Sequence, residues 1–241
     1  MQKLLSLFVL FIGLCFSVQV SAQWGWRGVK GNGNVVTETR SIKSDFEEVK
    51  VSTGLNVFIK QGNDIKVVVK ADENLQEIII TEVRGNALKI YAEKGIKRAE
   101  KLDVFVTMPV LTKLVASAGA DAYIKEVFKT EEIVLSTSSG ADINANIKAK
   151  SVDASTSSGS DIKVYGETDY FKGSASSGSD LNARELRSKV AKAEASSGAD
   201  LTITATEEIR AHASSGGDVT YYGKPSKVDT SESSGGDVDR R

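Results

Sequence analysis

A five-residue motif, Ser-Ser-Gly-x-Asp, recurs seven times through the C-terminal half of the chain, with alanine as the second residue of the first copy. Its glycines are separated by 21, 19, 19, 20, 18 and 19 residues. The glycines are Gly119, Gly140, Gly159, Gly178, Gly198, Gly216 and Gly235. The aspartates that follow them are Asp121, Asp142, Asp161, Asp180, Asp200, Asp218 and Asp237. This period predicts a small unit that is stacked on copies of itself, because one unit alone cannot bury its apolar side chains.

Apolar and polar residues alternate within each repeat. Ile143, Ala145 and Ile147 are separated by polar residues, and the alternation returns before the next glycine at Val152 and Ala154. A period of two indicates short β-strands with one buried face, and no segment of this half has a helical period. We therefore expect an all-β fold, a parallel β-helix whose coils of about 19 residues stack about 4.8 Å apart.

The motif itself is expected to form the turn between two strands. Gly140 and its equivalents would supply the positive φ that such a bend needs. By strand alternation, the second serine of each pair, such as Ser139, is in phase with the buried alanines. We therefore expect it to face inward, and the first serine, such as Ser138, to face outward beside the aspartate.

The N-terminus predicts an exported protein. Lys3 precedes a long apolar run that ends in Val20-Ser21-Ala22, so residues 1–22 have the layout of a secretory signal peptide. The only cysteine, Cys15, lies in that segment, and the remaining chain must be stabilised without disulfides. No later apolar stretch reaches the length of a membrane-spanning helix. We expect the periplasm, the outer-membrane surface or the extracellular space as the location.

Three further segments follow the predicted signal peptide. Residues 23–40 are rich in glycine and are expected to be a flexible lead. Residues 41–116 predict a β-rich N-terminal layer that pairs with the first coil and covers its end. Residues 117–241 hold the seven coils and continue directly from this layer. A degenerate earlier copy of the motif is recognisable at Ser52–Asn56, and Asp72–Leu75 predicts a single helical turn.

The repeat and three N-terminal segments together match the pattern of one known family. The segments are Gly31–Arg40, Phe46–Gly62 and Ala71–Leu75. In these the chain resembles the head GIN domain family of auto-transporter adhesins, exported proteins common in Bacteroidetes-type bacteria. The resemblance implies a right-handed parallel β-helix at the cell envelope or surface. It does not supply a molecular activity, because the adhesin name of that family is an analogy.

The seven aspartates have two interpretations. Coils in register would place their carboxylates about 5 Å apart, where they repel one another by roughly 1 kcal/mol in water. Either backbone N–H groups and serine hydroxyls of adjacent coils bond the carboxylates in a structural ladder, or the column binds a ligand or a cation. Ca²⁺ is the cation that carboxylate oxygens favour. The ladder predicts no cofactor and no metal.

Nothing in the sequence specifies a reaction. Nucleophilic catalysis would need one serine to differ from its copies and to meet a base. The only histidine, His212, lies in an ordinary strand position and points outward by alternation. We therefore expect no enzyme. The alternative is a carbohydrate-active β-helix enzyme of the polysaccharide lyase or hydrolase type.

A non-catalytic binding or adhesin-like module of the cell surface remains as the predicted function. Its partner would be a glycan, a lipid or an envelope protein. Without Lys3 the chain has 30 basic and 32 acidic residues, so charge gives no reason to expect nucleic acid. The edge of the last coil, Ser233–Val238, would favour self-association unless Arg240 and Arg241 blunt it.

Overall fold

The computed structural model describes residues 28–241 and contains 19 strands and one short 3-10 helix, Glu73–Leu75. The predicted signal peptide and the start of the lead lie outside the described residues. The strands up to the first coil are β1 (Val29–Lys30), β2 (Val35–Arg40), β3 (Glu48–Val51), β4 (Asn56–Gln61), β5 (Lys66–Asp72), β6 (Ile79–Arg84), β7 (Ala87–Ala92), β8 (Ile96–Arg98) and β9 (Leu102–Met108). Those that follow are β10 (Lys113–Ser117), β11 (Asp121–Lys129), β12 (Glu132–Ser138), β13 (Asp142–Ser157), β14 (Asp161–Ser176), β15 (Asp180–Ser196), β16 (Asp200–Ser214), β17 (Asp218–Tyr222), β18 (Lys227–Ser233) and β19 (Asp237–Arg240).

Each repeat forms one coil of a solenoid. Strands β13 to β16 each run through almost a whole coil and pair in parallel with the coil before and the coil after. Every coil has two straight segments, one after the aspartate and one before the next turn. The prediction of an all-β parallel solenoid is confirmed, with about seven stacked turns of about 19 residues.

The N-terminal strands continue both sides of the solenoid. On one side β4 pairs in parallel with β11 and β9, and β5 and β2 follow as antiparallel strands. On the other side β3 pairs in parallel with β10 and β7, and β6 follows as an antiparallel strand. The solenoid therefore begins before residue 117. Thr53 and Gly54, in the degenerate copy of the motif, have the positive φ values of the later turns.

The turns are built from two successive residues in the left-handed region. Gly140 has a φ of 67°, and a Cβ atom there would meet nothing within 4 Å, so the dihedral angle and not space calls for glycine. Ser139 before it has a φ of 58° and is exposed. The expectation that the second serine faces inward is wrong, because strand alternation ends at Ser138, where the chain turns.

The residue between glycine and aspartate takes the inward position instead. It is alanine in three copies, and Ala141 is completely buried. Where it is serine, the hydroxyl bonds inside the core: Ser160 Oγ donates to Ser157 O at 2.5 Å, and Ser179 Oγ donates to Thr156 O at 3.1 Å. These bonds satisfy hydroxyls that would otherwise be costly to bury.

The predicted flexible lead is wrong for its last part, because Val35–Arg40 form β2 and pair with β5. Asp72, only 1% exposed, holds the segment before β2 in place. Its carboxylate accepts hydrogen bonds from the backbone N–H groups of Gly33 at 2.8 Å and Glu100 at 2.9 Å. Burial alone would raise the pKa of Asp72, but these bonds outweigh it and lower the pKa. The helical turn predicted just after this residue is confirmed.

The last coil departs from the pattern of the inward positions. Thr230 and Glu232 of β18 pair with the buried Ala211 and Ala213 of the coil before. Arg240 of β19 pairs with Tyr221, another buried residue. The coil at this end thus carries polar and charged side chains at positions that are apolar in its neighbours.

Candidate binding face

One outer face of the solenoid carries most of the side chains that could recognise a partner. It comprises β2, β5, β9, β4, β11, the first segments of β13 to β16, then β17 and β19, and we call it the aspartate face. Two columns of outward residues run along the solenoid from β9 to β19. The first column contains Asp103, Asn56, Asp121, Asp142, Asp161, Asp180, Asp200, Asp218 and Asp237. The second contains Phe105, Phe58, Tyr123, Asn144, Lys163, Asn182, Thr202, Thr220 and Asp239.

All seven predicted aspartates lie side by side in the first column. Each is paired with the next by parallel strand register, so neighbouring carboxylates start from Cα atoms about 4.8 Å apart. The column also continues toward the N-terminus through Asn56, which pairs with both Asp121 and Asp103. The asparagine amide donates to Asp103 Oδ1 at 3.1 Å.

Partial burial and mutual repulsion raise the pKa of carboxyl groups in this column. For Asp142 the pKa is raised by desolvation and by the charges of Asp121 and Asp161. For Asp180 the pKa is raised by desolvation and by Asp161 and Asp200. Repulsion between neighbouring carboxylates thus acts on Asp142 and Asp180 in the middle of the column.

Backbone hydrogen bonds hold the coils in register at the turns. The N–H of Gly140 donates to Ser158 O at 3.3 Å, and the N–H of Asp142 donates to Ala120 O at 3.2 Å. Among the carboxylates, Asp161 Oδ1 accepts from the N–H of Asp180 at 3.3 Å. Within residues 28–241 no turn serine donates its hydroxyl to an aspartate of the column. The coil-to-coil bonds at the turns are therefore mainly between backbone groups, whereas the ladder interpretation expected backbone N–H groups and serine hydroxyls to bond the carboxylates.

A metal site is not preformed in the described part of the chain. No group of three or more His, Cys, Asp or Glu side chains there is arranged to hold a metal ion. The aspartates form a single file, whereas Ca²⁺ takes six to eight oxygen ligands around one point. Whether the column binds a cation stays a prediction.

The N-terminal end of the face carries a stack of aromatic rings. The ring of Phe58 lies between those of Phe105 and Tyr123, with centroids 5.2 and 5.1 Å apart and interplanar angles of 19° and 15°. Lys125 Nζ lies 5.3 Å from the Phe58 centroid. These side chains line a groove of about 630 Å³, together with Lys60, Lys66, Val68, Asp103 and Glu126. No sequence motif predicts this cluster, because only strand register brings three segments of the chain together there.

A second groove, the corner groove, lies on the outer surface where each coil bends after its first straight segment, the one that follows the aspartate. Its volume is about 670 Å³, and residues of five successive coils line it. Three of the lysines along it are paired, and in two of these pairs Lys148 Nζ lies 3.0 Å from Glu167 Oε2 and Lys189 Nζ lies 2.7 Å from Asp169 Oδ1. Lys150 forms a further ion pair with Glu131.

The residues considered for catalysis are not brought together. His212 is exposed, on the strand segment opposite the aspartate face, and its Nδ1 lies 2.8 Å from Ser231 Oγ. Its cross-strand neighbours are Glu194 and Ser231, in an ordinary parallel ladder. His212 points outward, as its place in the alternation predicts.

The fold and this face define a class of protein, a parallel β-solenoid with long uninterrupted outer columns. A family model matches residues 45–225, and its description is putative auto-transporter adhesin, head GIN domain. The chain belongs to this family. A search of curated proteins finds no match.

Solved structures with the same fold come from Bacteroides and Parabacteroides species. A putative adhesin of Bacteroides fragilis is 18% identical, with a TM-score of 0.82 over 89% of this chain and 100% of that one. A putative adhesin of Parabacteroides distasonis is 20% identical, with a TM-score of 0.74 and the same coverage. A protein of P. distasonis titled putative lipid binding protein is 19% identical, with a TM-score of 0.70 over 88% of this chain and 99% of that one. At these identities the likeness extends to the fold alone.

The names of the family and of these structures are those of surface and binding proteins, consistent with a chain that is not an enzyme. Among residues 28–241 the structure contains no helix of the length and apolar character needed to cross a bilayer.

Proposed function

We propose that the chain is an exported, non-catalytic binding module of the cell envelope that contacts its partner through the aspartate face. The single observation that supports this most is the continuity of the face. Its columns run in register from β9 to β19, and the second column changes from aromatic to amide and hydroxyl side chains along the way. Such a surface presents many equivalent polar groups to an extended partner.

The proposal also accounts for what the face does not contain. An acid and a base at one irregular place would be expected of a polysaccharide lyase or hydrolase. The aspartates of the first column instead repeat from coil to coil. A binding role makes use of repetition, since each added coil adds contacts to a long ligand.

The exported location follows from the predicted signal peptide and agrees with the adhesin names of the relatives. Fractionation of cells that express the full chain tests it. We expect the protein in envelope or extracellular fractions, and its retention in the cytoplasm would contradict this part of the proposal.

Binding is tested with the purified chain on bacterial envelope fractions and on a glycan array, each with Ca²⁺ and with a chelator. The test variant carries Asn144→Lys and Asn182→Lys in the second column of the aspartate face. The matched control carries Ser174→Lys and His212→Lys, which lie outward on the opposite face. We expect the test variant to lose at least about tenfold in affinity, because a long side chain blocks close approach to the face, and the control to bind normally.

Thermal melting of both variants checks that they remain folded. Equal loss of binding in both variants would place the interface elsewhere. Absence of binding to envelopes, glycans and lipid vesicles alike would overturn the proposed function.

A further inference from the structure

The groove at the N-terminal end of the aspartate face combines apolar surface with positive charge. The three stacked rings of Phe58, Phe105 and Tyr123 form its apolar part. Lys60, Lys66 and Lys125 surround them. We call these six residues the aromatic–lysine patch.

The central ring of the patch, that of Phe58, uses its faces on its neighbours and offers its edge to a ligand. Phe58 is covered on both faces by its two neighbours, about 5 Å away on each side. A sugar ring would need a free aromatic face for stacking, whereas a hydrocarbon chain can pack against ring edges as well as faces. Phe105 is nevertheless 40% exposed, so the patch keeps apolar surface in contact with water. This arrangement favours an aliphatic ligand over a glycan.

The lysines of the patch are available to an anion. In the part of the chain that the structure describes, Lys60, Lys66 and Lys125 are exposed and make no ion pair. In the corner groove, by contrast, Lys148, Lys150 and Lys189 each face a carboxylate. Of the two carboxylates in the patch groove, Asp103 already accepts from Asn56 and lies 3.8 Å from Lys101 Nζ. Glu126 is the other.

The volume of about 630 Å³ lies within the range of 300–1,000 Å³ usual for small-molecule sites. A ligand that fits both parts has an anionic headgroup for the lysines and an acyl chain for the rings and Val68. We propose that the aromatic–lysine patch binds an anionic lipid, with its headgroup on the three lysines and its chain along the exposed ring edges. This inference rests on the proposed binding function and assigns a partner class to one end of the same face.

The test uses sedimentation of the full processed chain with vesicles of phosphatidylcholine, alone or with phosphatidylglycerol. The patch variant is Lys60→Gln, Lys66→Gln and Lys125→Gln. The matched control is Lys148→Gln, Lys150→Gln and Lys189→Gln in the corner groove. We expect the patch variant to reduce binding to the anionic vesicles by about 100-fold, since each lysine near such a surface contributes about fivefold. The control is expected to change binding by less than about threefold, because its lysines are held in ion pairs.

Two soluble probes distinguish binding of a lipid from binding of a phosphate group alone. We expect dodecyl phosphate, used below its micelle concentration, to bind, and inorganic phosphate to bind far more weakly. In the Phe105→Ser variant the two phosphates should bind with similar affinity. Equal binding of the two phosphates by the unsubstituted chain would overturn the inference, because the acyl chain would then contribute nothing.

The proposed function and this inference fail separately. If the folded chain binds envelopes or a glycan array but not anionic vesicles, the binding function stands and the lipid assignment is wrong. Binding of an acidic glycan that depends on the three patch lysines, without vesicle binding, would reassign the patch to that glycan. Equal loss in the patch and control variants would show that vesicle binding reflects overall charge and not this site.

Discussion

The N-terminal strands and the repeat coils are two parts of one solenoid, and they are stabilised differently. In the N-terminal part the core consists of large side chains such as Leu55, Leu88 and Met108, all fully buried. In the repeat coils the inward positions before each turn are mostly small, as at Ala193 and Ala195. The segment after each turn buries large side chains in the repeat coils as well, such as Ile143 and Leu181, so the two parts differ in the layer before the turn.

The outer surfaces of the N-terminal strands and of the repeat coils also differ. The repeat coils present a row of aspartates that continues into Asn56 and Asp103, while the column beside it changes at the N-terminal end to the aromatic rings of Phe105, Phe58 and Tyr123. At the C-terminal end of the aspartate face five aspartates line a groove of about 290 Å³ together with Arg241. Repetition thus gives the molecule its length and its acidic column, and the departure from repetition creates the stack of three aromatic rings on that face.

The largest effect is expected in the N-terminal core. Leu88→Ala should lower the free energy of unfolding by about 3 kcal/mol, because it leaves a cavity among large side chains. Ala193→Gly, the matched change in a repeat coil, removes one methyl group and should cost about 1 kcal/mol. Urea denaturation of both variants measures the difference. Equal losses would mean that the two parts of the core do not differ as described.

Substitution of a turn glycine should have the next largest effect. Gly140→Ala should cost about 1–2 kcal/mol, because the alanine Cβ is strained at positive φ even where nothing lies nearby. Gly95 is a suitable control, since its φ is not in the left-handed region and the nearest atom to an added Cβ is 3.8 Å away. Gly95→Ala should change stability by less than about 0.5 kcal/mol. Similar melting temperatures for the two variants would argue against a conformational role of the turn glycine.

Substitutions in the last coil test whether its charged inward residues prevent self-association at the end of the solenoid. Glu232 and Arg240 occupy inward positions, where a second copy docked on this edge would have to bury their charges. We expect the double variant Glu232→Ala and Arg240→Val to associate more readily than the unsubstituted chain, as measured by light scattering over a range of concentrations. If both chains associate equally, these charges do not protect the edge of the last coil.

The smallest effect is expected in the aspartate column. The pKa values of Asp142 and Asp180 are raised in the folded chain, so the folded state binds protons more readily than the unfolded state. Their contribution to stability is fully present below the unfolded pKa and is lost as the pH rises through the folded pKa. Asp142→Asn with Asp180→Asn should therefore increase stability at pH 7. The gain should be no more than about 0.5 kcal/mol for each change, because both carboxylates are exposed and screened.

The stability that Asp72 contributes depends on pH with the opposite sign. Its lowered pKa gives a contribution that is present above the unfolded pKa and is lost as the pH falls through the folded pKa. Thermal melting of the unsubstituted chain and the double variant between pH 3 and pH 7 separates the two contributions. A double variant that is less stable at pH 7 would contradict repulsion in the column.

Calcium distinguishes the two interpretations of the column in the same experiment. If the aspartates form only a structural column, CaCl₂ should raise the melting temperature no more than NaCl does at equal ionic strength. A larger shift with CaCl₂ that disappears in the double variant would support cation binding.

The sequence pattern within one repeat was sufficient to predict the role of a residue when that role depends only on its own coil. The alternation around Ile143 predicted an inward row, and Gly140 predicted a positive φ, since both follow from strand geometry and backbone sterics. The same reasoning failed at Ser139, because alternation does not reveal where a strand ends. It also failed for residues 35–40, whose glycine-rich surroundings concealed a strand that only pairing with β5 stabilises.

The sequence by itself determined the repeat, and through it the parallel coils and the row of seven aspartates, because a fixed period leaves stacked units only one common register. The tertiary structure alone decided what surrounds that row. Phe58, Phe105 and Tyr123 are far apart in sequence and share no motif, and only the pairing of β4 with both β9 and β11 places their rings in one stack. Each repeat thus contains one aspartate of the column, whereas the aromatic stack beside the column forms only when distant strands pair.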